Sequence, residues 1–341
     1  MSLTTRAKPL DQKPVDQKPV DRKQDSPILR RQLTDIDEIT RQVQPFARVE
    51  MTQLSCERLD CDLMLATFPD IQFCFSTSSC PIKVIGEKLK TFVTFGLILE
   101  PQDGYLVSHN RRLSSDIVFG MNSHLEVNLV LPAHQNYVWI QVRQDVIKDY
   151  LKLMKRVDID DQFWCNNFVI APPKISTIKA YLRKFLRLTS QSSSFLKYPH
   201  INAHLLKDFI SFLISAIPFQ TKDLLNQFPT LKRAKLVKQA EDYMLAHLGQ
   251  PITLKDICQA LHVSSRPMFY GFQEMFGVSP MEYLKVQRLQ RVRRSLQIAA
   301  PESNSVMGIA ERYGFWSGGH FARDYKTMFG ELPSETLKLE N

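Results

Sequence analysis

From about Arg48 to Val142 the apolar residues come in short runs separated by turn formers. Ile71-Gln72-Phe73-Cys74-Phe75 alternates, as does Leu125-Glu126-Val127-Asn128-Leu129, while Thr91–Leu99 and Tyr137–Val142 are rich in β-branched and aromatic residues. Breaks fall at Pro81, Gly86, Pro101–Gly104, Asn110, Gly120 and Pro132. Repeated short strands at this spacing predict a sandwich or small barrel. The period then lengthens. Val146–Met154 reads as helix, and Ile175–Leu188 places Ile175, Ile178, Tyr181, Leu182, Phe185 and Leu186 on one side. Leu205–Ile217 is apolar nearly all round. Such helices bury themselves against the strand layers or against a second subunit.

The ends of this region read differently. Residues 1–30 are polar, with DQKPV-DQKPV-DRK running from Asp11 to Lys23, and have too little to bury to offset their ordering entropy. They are expected to be disordered. Pro218 and Pro229 break the chain, so 218–233 reads as a linker. From 234 to 338 the pattern is helical. The fold class expected is α+β, an N-terminal strand-rich sandwich or barrel with flanking helices, followed by an all-α domain.

The helical domain contains a degenerate duplication. The first copy opens Leu254-Lys-Asp-Ile257-Cys258-Gln-Ala-Leu261-His-Val263-Ser264 and continues through Met268, Phe272 and Phe276 to Gly277 and Pro280. The second opens Val306-Met-Gly-Ile309-Ala310-Glu-Arg-Tyr313-Gly314-Phe315-Trp316-Ser317 and continues through Phe321, Tyr325 and Phe329 to Gly330 and Pro333. Each reads as helix, tight turn, helix, stopped by Gly and then Pro, giving helix-turn-helix units at about 254–276 and 306–329. Cys258 and Ala310 let helices approach closely, and Gly314 suits a left-handed turn. Ser264 and Ser317 are placed to cap the second helix of each copy, and Pro267 falls in a first turn, where its missing N–H costs little. Between the copies a helix from Pro280 to Leu296 carries Lys285, Arg288, Arg291, Arg293 and Arg294. Phosphate contact by this basic linker helix is the reading preferred over a merely solvated face.

Composition adds bounds. The 341 residues suffice for two domains, and a net charge of +9 permits nucleic-acid binding without requiring it. No stretch approaches the ~18 apolar residues of a membrane helix, and no signal-peptide pattern opens the chain, which predicts a cytoplasmic location. Cys56, Cys61, Cys74, Cys80, Cys165 and Cys258 form no C-x2-C pair, so they read as reduced thiols rather than a zinc site. His200 and His204 stand four apart, but no Glu follows the first, and a metalloprotease site is rejected.

The second copy, IAERYGFWSGGHFARDYKTMFGELPSE, makes residues 235–337 resemble the AraC/XylS family of bacterial regulators. The resemblance implies sequence-specific binding to double-stranded promoter DNA, usually activation, RNA polymerase as a further partner, and residues 45–217 as an effector-sensing or dimerising domain. It leaves open a homodimer and an unidentified small-molecule effector, and it implies no cofactor, metal or catalytic residue. Carried over by position, the first recognition helix presents Ser265, Arg266, Phe269 and Tyr270 to DNA, with Arg266 suited to a bidentate guanine contact and one of the aromatics open to a core role. The second presents Ser317, Gly318, Gly319, His320 and Arg323, with Lys285, Arg288 and Arg291 on phosphate. Gly318 and Gly319 stand where many relatives carry longer polar side chains, so the second unit is expected to discriminate bases less. The two helices are expected to enter successive major grooves about 34 Å apart.

Three other readings compete. A zinc-dependent alkyl transfer needs paired thiolates, and spacings of five, thirteen and six between Cys56, Cys61, Cys74 and Cys80 do not pair them. A catalytic barrel needs clustered ligands, whereas His109, His124 and His134 are scattered. A non-specific packaging protein needs only a basic surface, not two recognition units.

Overall fold

A computed structural model describes residues 27–100, 105–165, 167–170, 174–191, 199–217, 230–301 and 303–338. Residues 1–26 and 218–229, which hold most of the expected tail and linker, lie outside the described residues, as do the side chains of His200 and His204. The chain runs β1 (Ile28–Leu33), α1 (Ile36–Val43), β2 (Ala47–Gln53), β3 (Cys61–Thr67), β4 (Ile71–Ser78), β5 (Ile82–Lys88) and β6 (Phe92–Glu100). It continues with β7 (Leu106–Ser108), β8 (Arg111–Leu113), β9 (Val118–Phe119), β10 (Val127–Leu131), β11 (Asn136–Arg143), α2 (Gln144–Leu153), α3 (Asp161–Trp164) and β12 (Phe168–Ile170). Helices α4 (Ile175–Gln191) and α5 (Pro199–Ser215) complete the first domain.

The strands form two sheets, ordered β1-β3-β4-β11-β6-β9-β12 and β2-β5-β10-β7-β8, with antiparallel pairing throughout. This is an open sandwich and not a closed barrel. At its centre the sandwich buries both faces, so the alternation read at Ile71–Phe75 does not separate inside from outside: all five residues are buried, as are Val138 and Ile140, and Phe73 packs its ring against Phe185 of α4 and Phe209 of α5. Both helices thus bury their apolar sides on the sandwich, through Ile178, Leu182, Phe209, Ile210, Leu213 and Ile214. The sandwich also begins earlier than expected. The first half of Ile28–Leu33 lies within the segment read as tail, and the strand pairs with β3, while Asp35 caps α1 by accepting from the Asp37 and Glu38 backbone N–H groups.

Lys88 closes one end of the five-stranded sheet. Its Nζ donates to the Asn122 carbonyl at 2.7 Å and to Asn167 Oδ1 at 2.8 Å, and burial pushes its pKa down to about 7. The folded ammonium therefore binds fewer protons than the unfolded one between about pH 7 and 10, and stability gains a rising component across that window. Melting temperatures taken from pH 7 to 9.5 should rise more steeply for the wild type than for Lys88→Met. Parallel curves for the two proteins would contradict this assignment.

The second domain holds α6 (Ala234–Ala246), α7 (Leu254–Ala260), α8 (Ser265–Phe276), α9 (Pro280–Ile298), α10 (Val306–Glu311), α11 (Gly318–Phe329) and α12 (Pro333–Lys338). Its two cores are separate. One gathers Val237, Met244, Ile257, Met268, Phe272 and Tyr283, while the other gathers Val286, Leu289, Val292, Ile309, Phe321 and Tyr325. The continuous helix α9 supplies residues to both. Among the described residues, no helix is long and apolar enough to cross a membrane.

Candidate nucleic-acid interface

The duplication is visible in backbone geometry. Helices α8 and α11 are each 12 residues long and each ends on a left-handed glycine, Gly277 at φ +74° and Gly330 at φ +76°. The turn between the paired helices also adopts positive φ in both copies, at Gly314 (φ +81°) and at His262 (φ +54°). Gly314 takes this conformation without a Cβ penalty, whereas His262 holds it at some steric cost.

Capping differs from the expectation. Ser264 and Ser317 occupy the N-cap positions of α8 and α11 with extended backbone, yet neither side chain caps its helix. The side-chain caps belong instead to the supporting helices. Thr253 forms a reciprocal capping box with Asp256 on α7, Ser305 accepts from the Gly308 N–H on α10, and Ser279 accepts from the Glu282 N–H on α9. The scaffold helices are thus fixed internally, and the recognition helices keep uncapped amino ends. Thr253→Ala should accordingly cost about 1 kcal/mol, whereas Ser264→Ala should cost well under half of that. Thermal denaturation of the two variants separates them, and equal losses would show that Ser264 caps after all.

The residues placed on DNA by position are all at the surface. Ser265, Arg266, Ser317, Gly318, Gly319, His320 and Arg323 are exposed. Phe269 and Tyr270 are 44% and 47% exposed, so neither is a core aromatic; the core face of α8 is built by Met268, Gly271, Phe272, Met275 and Phe276. Tyr270 carries the Arg266 guanidinium 5.7 Å from its ring centroid, with that of Arg233 at 5.8 Å. On α11, Arg323 and the ring Nδ1 of His320 share a hydrogen bond of 3.1 Å. A Cβ on Gly319 would meet nothing within 4 Å, so no internal contact demands glycine there. Trp316, to which the sequence reading gave no role, is 62% exposed beside Ser317. Its signal was present as a large aromatic in the turn directly before a recognition helix.

Most basic residues of the linker helix have partners within the protein. Lys285 pairs with Asp324 at 3.3 Å, and Arg288 spends its guanidinium on the Leu248 and Gln250 carbonyls, beside Gly314. Arg293 is bound to Asp35 and Glu331, and Arg294 to Asp37. Burial pushes the Asp35 carboxyl upward, but Arg293 and two backbone N–H donors outweigh it and hold the carboxyl below its ordinary value. Of the three phosphate contacts expected, only Arg291 is exposed on α9.

Two further features concern the sandwich. A cavity of about 40 Å³ lies between its sheets, lined mainly by apolar side chains including Val43, Met51, Cys61, Leu63, Tyr137 and Trp139. Cys61, Cys74 and Cys80 are buried, and burial pushes the Cys61 thiol up to about 12, so these cysteines are poor nucleophiles. Among the described residues no three His, Cys, Asp or Glu side chains converge as metal ligands.

Comparison with known proteins bears on the same region. A family model described as a helix-turn-helix domain matches residues 257–339. The chain is 43% identical over 103 residues to a probable thc operon regulatory protein of Rhodococcus erythropolis, covering 30% of this chain and 31% of that protein. It is 35% identical over 93 residues to the XylDLEGF operon transcriptional activator 2 of Pseudomonas putida, covering 27% of this chain and 59% of that protein. A solved structure, a probable AraC family transcriptional regulator from Rhodopseudomonas palustris, is 40% identical across 30% of this chain and 95% of its own, with a TM-score of 0.28. Each of these matches covers less than a third of the chain, and the two regulators are matched over less than two thirds of their own length. The C-terminal domain of two helix-turn-helix units, residues 257–339 by the family match, is therefore a helix-turn-helix domain of the AraC/XylS type.

Proposed function

We propose that the whole chain is a sequence-specific transcriptional regulator, an activator, that inserts α8 and α11 into successive major grooves of promoter DNA. The observation that carries this reading is the pair of recognition helices with exposed, uncapped amino ends, held on one 19-residue helix. In the first unit Arg266 reads guanine, while Ser265, Phe269 and Tyr270 flank it on bases and phosphate. In the second, His320 and Arg323 supply what discrimination there is. Ser317, Gly318 and Gly319 let the backbone approach phosphate closely, and Arg291 adds a phosphate contact from α9. The activator named among the relatives supports the direction of control. A dimer is not required for two-groove binding, because one chain carries both helices.

The sandwich is read as the sensing domain, with its cavity as the effector site. At about 40 Å³ the cavity admits little more than water, so an effector must displace lining side chains to enter. Selection of duplexes from a random library with the full chain tests the DNA reading. Enrichment of two short motifs about one helical turn apart supports it, with the motif for α8 the stronger. A library that gains affinity without any shared motif rejects it.

A further inference from the structure

The two units touch each other directly around Gly314. Arg288 of α9 packs beside Gly314 while donating to the Leu248 and Gln250 carbonyls, and a Cβ on Gly249 would lie 2.6 Å from the Arg312 carbonyl oxygen. This contact holds the turn that leads into α11. The opposite end of α11 is held by the N-terminal sandwich.

We propose that the loop joining β2 to β3, residues 54–60, and the ion-pair relay Asp35–Arg293–Glu331 together form a strap by which the sandwich fixes the angle of α11 relative to α8, so that the N-terminal domain sets the half-site spacing the chain reads. This rests on the reading of α8 and α11 as recognition helices. Leu54 is fully buried in the core of the first unit, with Val237, Phe272 and Tyr283. Two residues later Cys56 packs against the core of the second. The loop thus crosses from one unit to the other within about 7 Å of extended chain. Arg58 then lies against Gly330, its guanidinium carbon 3.3 Å from where a Cβ would stand. From the other side Arg293 reaches Asp35 of the sandwich at 2.8 Å and Glu331, one residue past Gly330, at 3.2 Å, with its guanidinium 4.8 Å from the Phe329 ring centroid. The strap therefore grips the last residues of α11, while the direct contact grips its approach.

The loop is shaped before it touches either unit. The Gln53 side chain donates to the Ser55 carbonyl at 2.9 Å and the Glu57 carbonyl at 2.6 Å, while the Gln53 carbonyl accepts from the buried Gln290 amide of α9 at 3.0 Å. Ser79 donates to the Arg58 carbonyl and accepts from the Asp60 N–H. Ser79 belongs to the turn between β4 and β5, and the neighbouring Ser78 and Ile82 line the sandwich cavity. The residues that shape the strap therefore adjoin the cavity wall.

Arg293 and Asp35 are positioning residues, and spacing is the readout that a merely structural role would not move. Full-length protein is titrated with duplexes carrying the two selected motifs at their natural separation and at one base pair more or less. One base pair rotates the second motif by about 34°, which a rigid pair of helices cannot follow. The wild type should lose about tenfold in affinity, and Asp35→Asn and Arg293→Met should lose no more than about threefold. Affinity for the first motif alone should be unchanged. Asn still caps α1, so Asp35→Asn decides the matter if Arg293→Met fails to fold. Hydrogen exchange without DNA gives a second measure: amides of Tyr325–Phe329 should exchange faster in both variants, with those of α8 unchanged. Full retention of the wild-type spacing penalty, or unchanged exchange in α11, overturns the proposal. If selection yields no motif, the DNA reading itself fails, and the exchange measurement still judges the strap.

Discussion

Replacing Glu241 with alanine should destabilise the protein by about 3–5 kcal/mol. Glu241 of α6 is 95% buried as a side chain, and its carboxylate forms an ion pair with Lys83 of β5 and accepts from the Tyr283 hydroxyl of α9. Lys83 is itself nearly buried, with Nζ 5.3 Å from the Phe276 ring centroid. Removing the carboxylate strands a buried cation and an unpartnered phenol at the joint between the two domains. Glu241→Gln keeps hydrogen-bonding capacity and should recover part of the loss. The double replacement Lys83→Met with Glu241→Leu should recover more of the loss, since it leaves no uncompensated charge and only the Tyr283 hydroxyl unpartnered. Urea unfolding reads this domain by domain: Trp139 and Trp164 report on the sandwich and Trp316 on the second unit. The wild type should unfold with coincident transitions, whereas in Glu241→Ala the C-terminal signal should move to lower urea. A loss below 1 kcal/mol, or one that the double replacement does not relieve, would show that the pair contributes little.

Arg266→Ala should cost about 1–3 kcal/mol at sites carrying guanine opposite α8 and relax preference at that base pair alone. The argument is geometric. Arg266 is exposed near the amino end of α8, and Tyr270 underlies its guanidinium, which limits the rotamers it must give up on binding. Its planar fork matches the O6 and N7 acceptors of guanine, so Arg266→Lys should lose most of the discrimination while retaining the charge. Arg291→Ala should behave differently. A phosphate contact carries no base identity, so affinity should fall uniformly across sequences and the salt slope by about one. Competition titrations with every base at the read position separate the two patterns. If Arg266→Ala weakens all sequences alike, Arg266 binds phosphate and the base-reading role lies elsewhere on α8.

How much of this was legible in the sequence depended on whether the physics was local. The duplicated units stood out because each repeats the same spacing of small, apolar and stop residues, and helix-turn-helix packing is set within about 25 residues. The strands around Ile71–Phe75 and Tyr137–Val142 were legible from their β-branched and aromatic content, although the structure buries both of their faces. Strand β1 carries Arg30 and Arg31 at a sheet edge, which is why its first half reads as part of the polar tail. Helix α1 is only eight residues long, too short for its period to show. The internal partners of the basic residues of α9 were hidden for a different reason. Lys285, Arg288, Arg293 and Arg294 resemble a solvated phosphate-binding stripe in sequence, and only the fold brings Asp324, Asp35, Glu331 and Asp37 to most of them. Ser264 and Ser317 satisfied the capping pattern in position and backbone, but a side chain's choice between its own helix and an outside partner is not written in spacing.

Genomic footprinting of the purified full chain, beside Arg266→Ala at one fixed salt concentration, tests the central claim most directly. The account predicts discrete protected sites of about two helical turns per chain for the wild type, and loss of their sequence preference in the variant. Diffuse protection that the substitution leaves unchanged would contradict it.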